Sequence, residues 1–214
     1  MGAAMTGMPA LPAMEEVHPG HLSALLPRLP DTTIRRLQAC RRLEGRLCEL
    51  LTGSASLAAW PGPDMLAGPA RLALASRGQI MRAATVMGAI WHAASVRSCI
   101  SSAAVAFLVG EIGAEARSAA LRHASLGVAG PEPMTPHELV AAVAHSADAC
   151  LEFWLATLPD GVRQRVLLKL PPRGAAMAGP DGRAAAISAP VIADIIASAV
   201  EEVLREEPPD AAGL

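Results

Sequence analysis

Aromatic side chains and lysine are nearly absent from this sequence. Aromatic residues make up 2% of the 214 positions, tyrosine does not occur, and Lys169 is the single lysine. Proteins that bind single-stranded nucleic acid stack the bases on aromatic side chains, so the composition excludes a surface of that kind. The formal net charge of −2 also gives the whole chain no general attraction to nucleic acid or anionic lipid.

The motifs of common catalytic and cofactor sites are missing as well. There is no C-x-x-C pair, no phosphate-binding G-x-x-x-x-G-K-[ST] loop, no G-x-G-x-x-G and no G-x-S-x-G. His137 opens the string HELVA, but Ala141 stands where a zinc-protease helix needs its second histidine. His18 and His21 lie close together without another ligand nearby. We therefore expect no enzymatic activity, no cofactor and no metal.

The cysteines lie in apolar segments, where free cysteine packs as a small hydrophobic residue. One alternative assigns a catalytic role to one cysteine: the protein would be a small hydrolase with Cys150 as the nucleophile and His145 as the base. Residues five positions apart on one helix point in different directions, which favours a packing role for Cys150. The four cysteines are Cys40, Cys48, Cys99 and Cys150.

The sequence predicts neither a signal peptide nor a membrane-spanning helix. The first twenty residues lack a basic region followed by a long apolar run. Residues 83–109 form the most apolar stretch, but Arg97 lies near the middle. An arginine at that depth opposes insertion by about 2.5–3.5 kcal/mol. We therefore expect no direct membrane insertion and a location in the reducing cytoplasm.

Apolar residues recur at intervals of three and four, which predicts a mainly α-helical, compact, single-domain fold. Asp31 is the predicted N-cap of a helix over residues 32–51, which ends near Gly53. Its predicted core-facing stripe consists of Ile34, Leu37, Cys40, Leu43, Leu47 and Leu50.

The second half of the chain carries the clearest local signals. Thr135 and Glu138 form a predicted capping box for a helix that runs to Thr157. Pro190 opens the last helix. Alternating apolar residues between these helices allow one short β-hairpin near residues 165–189. The predicted organisation is a flexible Met/Pro-rich arm over residues 1–20, a helical domain over residues 21–207 and a frayed tail over residues 208–214.

Charge is distributed unevenly along the chain. Residues 28–97 contain ten arginines and four acids, whereas residues 194–210 contain six acids and one arginine. Because guanidinium groups bind carboxylates through two parallel hydrogen bonds, this pattern favours docking to an acidic protein partner. The predicted partner-binding residues are Arg35, Arg36, Arg42, Arg46, Glu201, Glu202 and Glu206. Two alternatives remain open: solvated faces without a partner, or a helical DNA-binding regulator that uses the Arg-rich helix 32–51.

Two segments resemble the SctK family of type III secretion accessory proteins, also called YscK or PscK. ARLALASRGQIMRAA at residues 70–84 matches an apolar helix, a glycine and a helix that opens with a basic residue. ADACLEFWLATLPDGVRQRVLLKLPP at residues 147–172 matches an FWL helix, a proline-containing turn and a basic-apolar segment ending in Leu-Pro. Trp154, at the centre of the FWL helix, is predicted to be buried.

The resemblance implies a structural, non-enzymatic role. SctK proteins belong to the cytoplasmic sorting platform beneath the injectisome, where they link the inner-membrane ring protein SctD to the pod protein SctQ. SctQ in turn carries the stalk protein SctL and the ATPase SctN. The expected protein is thus an adaptor at the cytoplasmic face of the inner membrane. Its direct partners would be SctD and SctQ, its indirect partners SctL and SctN, and it would bind no nucleic acid.

Overall fold

The structure, a computed structural model, describes residues 11–54, 57–128, 134–172 and 189–205. Within these ranges the regular structure is helical and no strand occurs, which confirms the predicted mainly α-helical class. The chain divides into two compact units. Unit 1 comprises Met1–Leu66 and Leu158–Ala178, and unit 2 comprises Ala67–Thr157 and Gly179–Leu214.

The regular elements are α-helices joined by short 3-10 helices. In chain order, the α-helices are α1 (Pro19–Leu25), α2 (Asp31–Gln38), α3 (Glu44–Ser54), α4 (Arg77–Trp91), α5 (Ala93–Ser98), α6 (Ser102–Ile112), α7 (Ala114–Arg122), α8 (Pro136–Thr157), α9 (Asp160–Lys169) and α10 (Ala189–Arg205). The 3-10 helices are Arg41–Leu43, Pro63–Met65, Gly68–Leu74 and Ala124–Leu126.

The core of unit 1 joins the beginning of the chain to α9. Met14 and Val17, which lie within the predicted arm over residues 1–20, are buried in it. Residues 1–10 and the predicted tail over residues 208–214 lie outside the described residues. The buried cluster consists of Met14, Val17, Leu22, Ile34, Leu47, Leu51 and Leu168.

The predicted continuous helix over residues 32–51 is interrupted. α2 ends at Gln38, and Cys40 adopts an extended backbone (φ −90°, ψ 98°) before the chain re-enters a 3-10 helix and α3. The Gln38 amide donates hydrogen bonds of 3.2 and 2.9 Å to two carbonyls of the preceding segment, which holds the end of α2 in place. In α3, Leu47 and Leu51 are buried, whereas the predicted core residue Leu50 is exposed.

Residues 165–169, where the possible β-hairpin near residues 165–189 would begin, belong to α9. The spacing of its apolar residues fits both an α-helix and a β-strand, but Pro159 at the N-cap position and Asp160 in the first turn favour the start of a helix. Val162 and Val166, four positions apart, are both buried. Residues 173–188 lie outside the described residues.

Unit 2 is organised around α4, which packs against α7, α8 and α10. A complete capping box begins this helix: the Ser76 N–H donates to Gln79 Oε1 at 2.7 Å, and the Gln79 N–H donates to Ser76 Oγ at 3.3 Å. At Gly88 the helix comes so close to α8 that an added Cβ would collide with the Val143 carbonyl oxygen. Gly88 therefore sets the distance between α4 and α8.

The local predictions for α8 are confirmed. The Thr135 N–H donates to Glu138 Oε2 at 2.7 Å, and the Glu138 N–H donates to Thr135 Oγ1 at 3.3 Å. Trp154 is 1% exposed, and its indole N–H donates to the Pro69 carbonyl at 3.1 Å. The FWL helix is thus anchored through its tryptophan.

By length and composition, α8 is the one helix of the described residues that could cross a membrane. The core helix of a soluble protein passes the same test, so this is weak support for a span. Leu139, Val143 and Leu151 are buried along α8, which packs on α4.

Candidate partner-binding surfaces

Five exposed arginines of unit 1 lie on or beside neighbouring elements, and they form no ion pair with the described residues. They lie after α1, in the last turn of α2 and in the following 3-10 helix, and α2 contacts both neighbouring elements. We call them the arginine surface: Arg28, Arg35, Arg36, Arg41 and Arg42.

The local sequence explains why these side chains face solvent. Ile34 is completely buried, so the next two residues, Arg35 and Arg36, leave the core-facing stripe of α2. Both lie in its last turn, where positive charge is stabilised by the partial negative charge of the helix C-terminus. The 3-10 helix that carries Arg41 and Arg42 has no buried residue.

The predicted residue Arg46 differs from its neighbours because it already has a partner. Its Nη1 lies 3.0 Å from Glu49 Oε2, and both side chains are largely exposed. Exposed pairs of this kind contribute about 0–1 kcal/mol to stability, so a carboxylate of a partner protein that binds Arg46 more tightly can replace Glu49. Three of the predicted arginines therefore belong to the arginine surface, Arg46 is paired with Glu49 instead, and Arg28 and Arg41 are added.

The acidic end of α10 is only partly solvated. Glu201 is exposed and lies 3.7 Å from Arg205. Glu202 is 8% exposed, so its side chain is buried rather than solvated. Ile195, Ala199 and Glu202 follow the helical spacing of four and three, a signal that places Glu202 on the buried stripe. Glu206 lies outside the described residues.

The Glu202 carboxylate is held by two residues from the end of α7. Arg122 donates to both oxygens, at 3.2 and 2.6 Å, and His123 Nε2 lies 3.1 Å from Oε1. Burial alone would raise the pKa of Glu202, but these hydrogen bonds and the positive charges of Arg122 and Arg205 outweigh it, so the pKa lies below its ordinary value. Glu202 thus fastens α10 to the end of α7.

Arg165 lies in the segment of residues 147–172 that carries the family resemblance, and it is not part of the arginine surface. It is 3% exposed, its Nη1 donates to the carbonyls of Ala58 and Gly161 at 3.0 and 2.6 Å, and its guanidinium lies 5.3 Å from the Trp60 ring centroid. Burial lowers the pKa of its guanidinium. Its contacts fasten the loop before Trp60 to α9.

Unit 2 contains a pocket of about 440 Å³ between α4 and the turn from α6 to α7. Met81, Val86 and Ile112 contribute apolar walls. Arg82 Nε lies 3.4 Å from Glu115 Oε2, and the other oxygen of Glu115 accepts no hydrogen bond from the described residues. This pocket was not predicted, because its walls come from residues more than twenty-five positions apart.

The predicted alternative of a Cys150–His145 pair does not form. Cys150 is 1% exposed, and burial raises the pKa of its thiol to about 12, so the nucleophilic thiolate is not available near neutral pH. His145 is exposed on the same helix. Among the described residues, no group of three or more His, Cys, Asp or Glu side chains could hold a metal ion.

The histidines near the beginning of the chain have structural contacts. His18 Nδ1 accepts from the Gly20 N–H at 3.0 Å at the start of α1. His21 Nε2 lies 3.0 Å from the Leu167 carbonyl and 2.9 Å from the Leu170 carbonyl. The pair thus helps to join α1 to the end of α9 within unit 1.

A family model described as YOP proteins translocation protein K (YscK) matches residues 6–194. The chain belongs to the YscK family. Nodulation protein NolU of Rhizobium fredii and nodulation protein NolU of Sinorhizobium fredii are each 39% identical to this YscK-family protein over 158 residues. The match covers 72% of this chain and 70% of each relative. No solved structure gives a significant match.

Membership of the YscK family confirms the resemblance to SctK and makes the chain a structural component of type III secretion. The matched range contains the arginine surface and both segments that carry the resemblance. Glu201 and Glu202 lie beyond it.

Proposed function

We propose that this YscK-family protein is an adaptor of the cytoplasmic sorting platform. It links the cytoplasmic domain of the ring protein SctD to the pod protein SctQ, and through SctQ it is connected to SctL and SctN. Its location is the cytoplasmic face of the inner membrane, reached through the secretion apparatus rather than by insertion into lipid. Family membership and the helical fold support this proposal.

The observation that carries the proposal is the arginine surface of unit 1. Its members are exposed, and no acid in the described part of the chain neutralises them. Their planar guanidinium groups suit carboxylates presented by a protein partner. Complementary charge increases the association rate and the specificity while leaving a moderate affinity, which suits an assembly whose subunits exchange.

The proposed contact is tested by reversing four of these charges. We expect the variant Arg35→Glu, Arg36→Glu, Arg41→Glu, Arg42→Glu to bind SctQ or the SctD cytoplasmic domain from the same organism more weakly. Four exposed pairs at about 0.5 kcal/mol each give about 2 kcal/mol, or roughly a thirty-fold rise in Kd. Biolayer interferometry measures the Kd, and circular dichroism checks that the helical content is unchanged.

Two controls separate the arginine surface from a general charge effect. Arg71 is exposed on unit 2, so Arg71→Glu is compared with the single variant Arg36→Glu, which changes the net charge by the same amount, and Arg71→Glu should leave Kd unchanged. Replacing the same four arginines by lysine keeps the charge but removes the planar fork, and should cause an intermediate loss. Equal affinity of wild type and the fourfold Glu variant for both partners would refute the assignment.

Wild type and the fourfold Glu variant also test the DNA-binding alternative. The interruption at Cys40 leaves no continuous recognition helix over residues 32–51. A gel-shift titration of duplex DNA against salt should show no specific complex. A steep salt-dependent complex that is lost in the fourfold Glu variant would favour the regulator instead.

The acidic end of α10 stays in the proposal as a second contact, with Glu201 as its exposed member. Glu201→Lys should weaken binding of the partner that does not respond to the arginine surface. Glu202→Gln is the contrasting variant, because its carboxylate already binds Arg122 and His123. If Glu201→Lys leaves the binding of both partners unchanged, this second contact is wrong.

A further inference from the structure

One described helix of unit 2, α6, has an outer face that lacks charged side chains over most of its length. Residues 98–110, which include most of α6, contain no charged side chain. A helix on the surface of a soluble protein normally places charged residues towards water, whereas one that is apolar all round is covered. The composition of α6 therefore indicates that its exposed side is an interface.

The orientation of α6 is fixed by its inner face. Leu108 and Ile112, four positions apart, are buried, and the Phe107 ring lies 4.3 Å from the His137 ring on α8. On the opposite side, Ala103, Ala106 and Gly110 are exposed. These three follow the spacing of three and four that forms a straight seam along a helix.

The seam is narrow, and a large apolar side chain stands at one end of it. A Cβ built on Gly110 meets no atom of the described residues within 4 Å, so the space above this residue is open. Ile100, just before α6, is 87% exposed, the highest value among the large apolar residues of the described chain. Small residues in a seam allow two helix backbones to approach closely.

The charges beside the seam have opposite signs at its two ends. Arg97 precedes α6 and Glu111 lies in its last turn. Both side chains are exposed, and neither forms an ion pair with a residue that the structure describes. An antiparallel pair of identical helices would bring the Arg97 end of each copy to the Glu111 end of the other.

We propose that the exposed seam of α6 binds the same seam of a second copy of this chain. The two helices run antiparallel about a two-fold axis near Ala106. Ile100 of each copy packs over Gly110 of the other, and Arg97 of each copy pairs with Glu111 of the other. The contact is isologous, so it closes at two copies instead of growing into a filament.

A second copy fits these observations better than lipid does. α6 has 11 residues and spans about 16 Å, roughly half the hydrocarbon thickness of a bilayer. Helices that lie in a membrane interface carry a basic polar face, whereas the opposite face of α6 is buried in its own unit. Since one helix from each copy buries less than the roughly 1,200 Å² of a stable complex, the dimer should be weak and concentration-dependent.

The test is sedimentation velocity of the full chain over a concentration series. Wild type should shift from monomer to dimer as the concentration rises through the micromolar range. Ala106→Arg places two positive charges together at the two-fold axis and should raise the dimer Kd at least tenfold. Ala193→Arg is the matched control, because Ala193 is exposed on α10 of the same unit, and it should leave the Kd unchanged.

A charge exchange tests the antiparallel arrangement. Arg97→Glu and Glu111→Arg should each weaken the dimer, and the double variant should restore it. A wild type that remains monomeric at all concentrations, an unaffected Ala106→Arg dimer, or a double variant no better than the single ones would overturn the proposal. So would a monomer that floats with zwitterionic phosphatidylcholine vesicles and loses this binding in Ala106→Arg, because lipid would then be the occupant of the seam.

Discussion

Replacing Trp154 tests whether the FWL helix is held by burial and by one hydrogen bond. The side chain is 1% exposed and donates to the Pro69 carbonyl at 3.1 Å. Truncation of a buried tryptophan to alanine costs about 3–5 kcal/mol, because the lost contacts leave a cavity. For a protein of this size, 1 kcal/mol corresponds to about 2–4 °C in Tm, so Trp154→Ala should lower Tm by about 6–20 °C.

Trp154→Phe separates the two contributions. Phenylalanine keeps most of the buried ring area but cannot donate to Pro69, so the expected loss is about 1–3 kcal/mol. Urea unfolding followed by circular dichroism gives both free energies. Trp60→Ala is a useful control, because Trp60 is only half-buried and should cost less than Trp154→Ala. A Trp154→Ala protein within about 1 kcal/mol of wild type would refute the anchoring role.

Three further predictions concern packing, ionisation and reactivity. Gly88→Ala should lower Tm because its methyl group meets the α8 backbone, whereas Gly45→Ala meets no described atom within 4 Å and should stabilise by up to about 1 kcal/mol; equal Tm values would contradict the close approach. Because the folded pKa of Glu202 lies below 4.5, its stabilisation is present above that pH and is lost as the pH falls through the folded pKa. Glu202→Gln should therefore be less stable than wild type at pH 7, and the two proteins should converge in stability in acid. Urea titrations at each pH measure both free energies of unfolding, and a difference that stays constant with pH would contradict the prediction. In native protein, iodoacetamide should modify half-buried Cys40 well before buried Cys150, as followed by mass spectrometry; equal rates would show that Cys150 is accessible.

The parts of the fold that sequence analysis predicted correctly depend on neighbours along the chain. The Thr135–Glu138 capping box is a contact across three residues, and burial of Trp154 follows from the apolar face of its own helix. The break after Gln38 depends on hydrogen bonds to carbonyls more than twenty positions earlier. No pattern within residues 32–51 contains that information.

The candidate partner-binding surfaces also combine features set by neighbours along the chain with features set by distant residues. Exposure of Arg35 and Arg36 follows from the burial of Ile34, which the helical period predicts. The pairing of Glu202 with Arg122 joins residues eighty positions apart and depends on how α10 packs. Its burial could be predicted from the spacing to Ile195 and Ala199, but the identity of its partner could not.

The contact of Leu168 with the core of unit 1 has a consequence for synthesis of the chain. The other members of that cluster lie at or before Leu51, which is 117 positions earlier. At translation rates of about 5–20 residues per second, the ribosome needs on the order of ten seconds to deliver the missing leucine. Throughout that interval the hydrophobic cluster of the nascent chain is incomplete and partly exposed, so we expect the beginning of the chain to bind ribosome-associated chaperones.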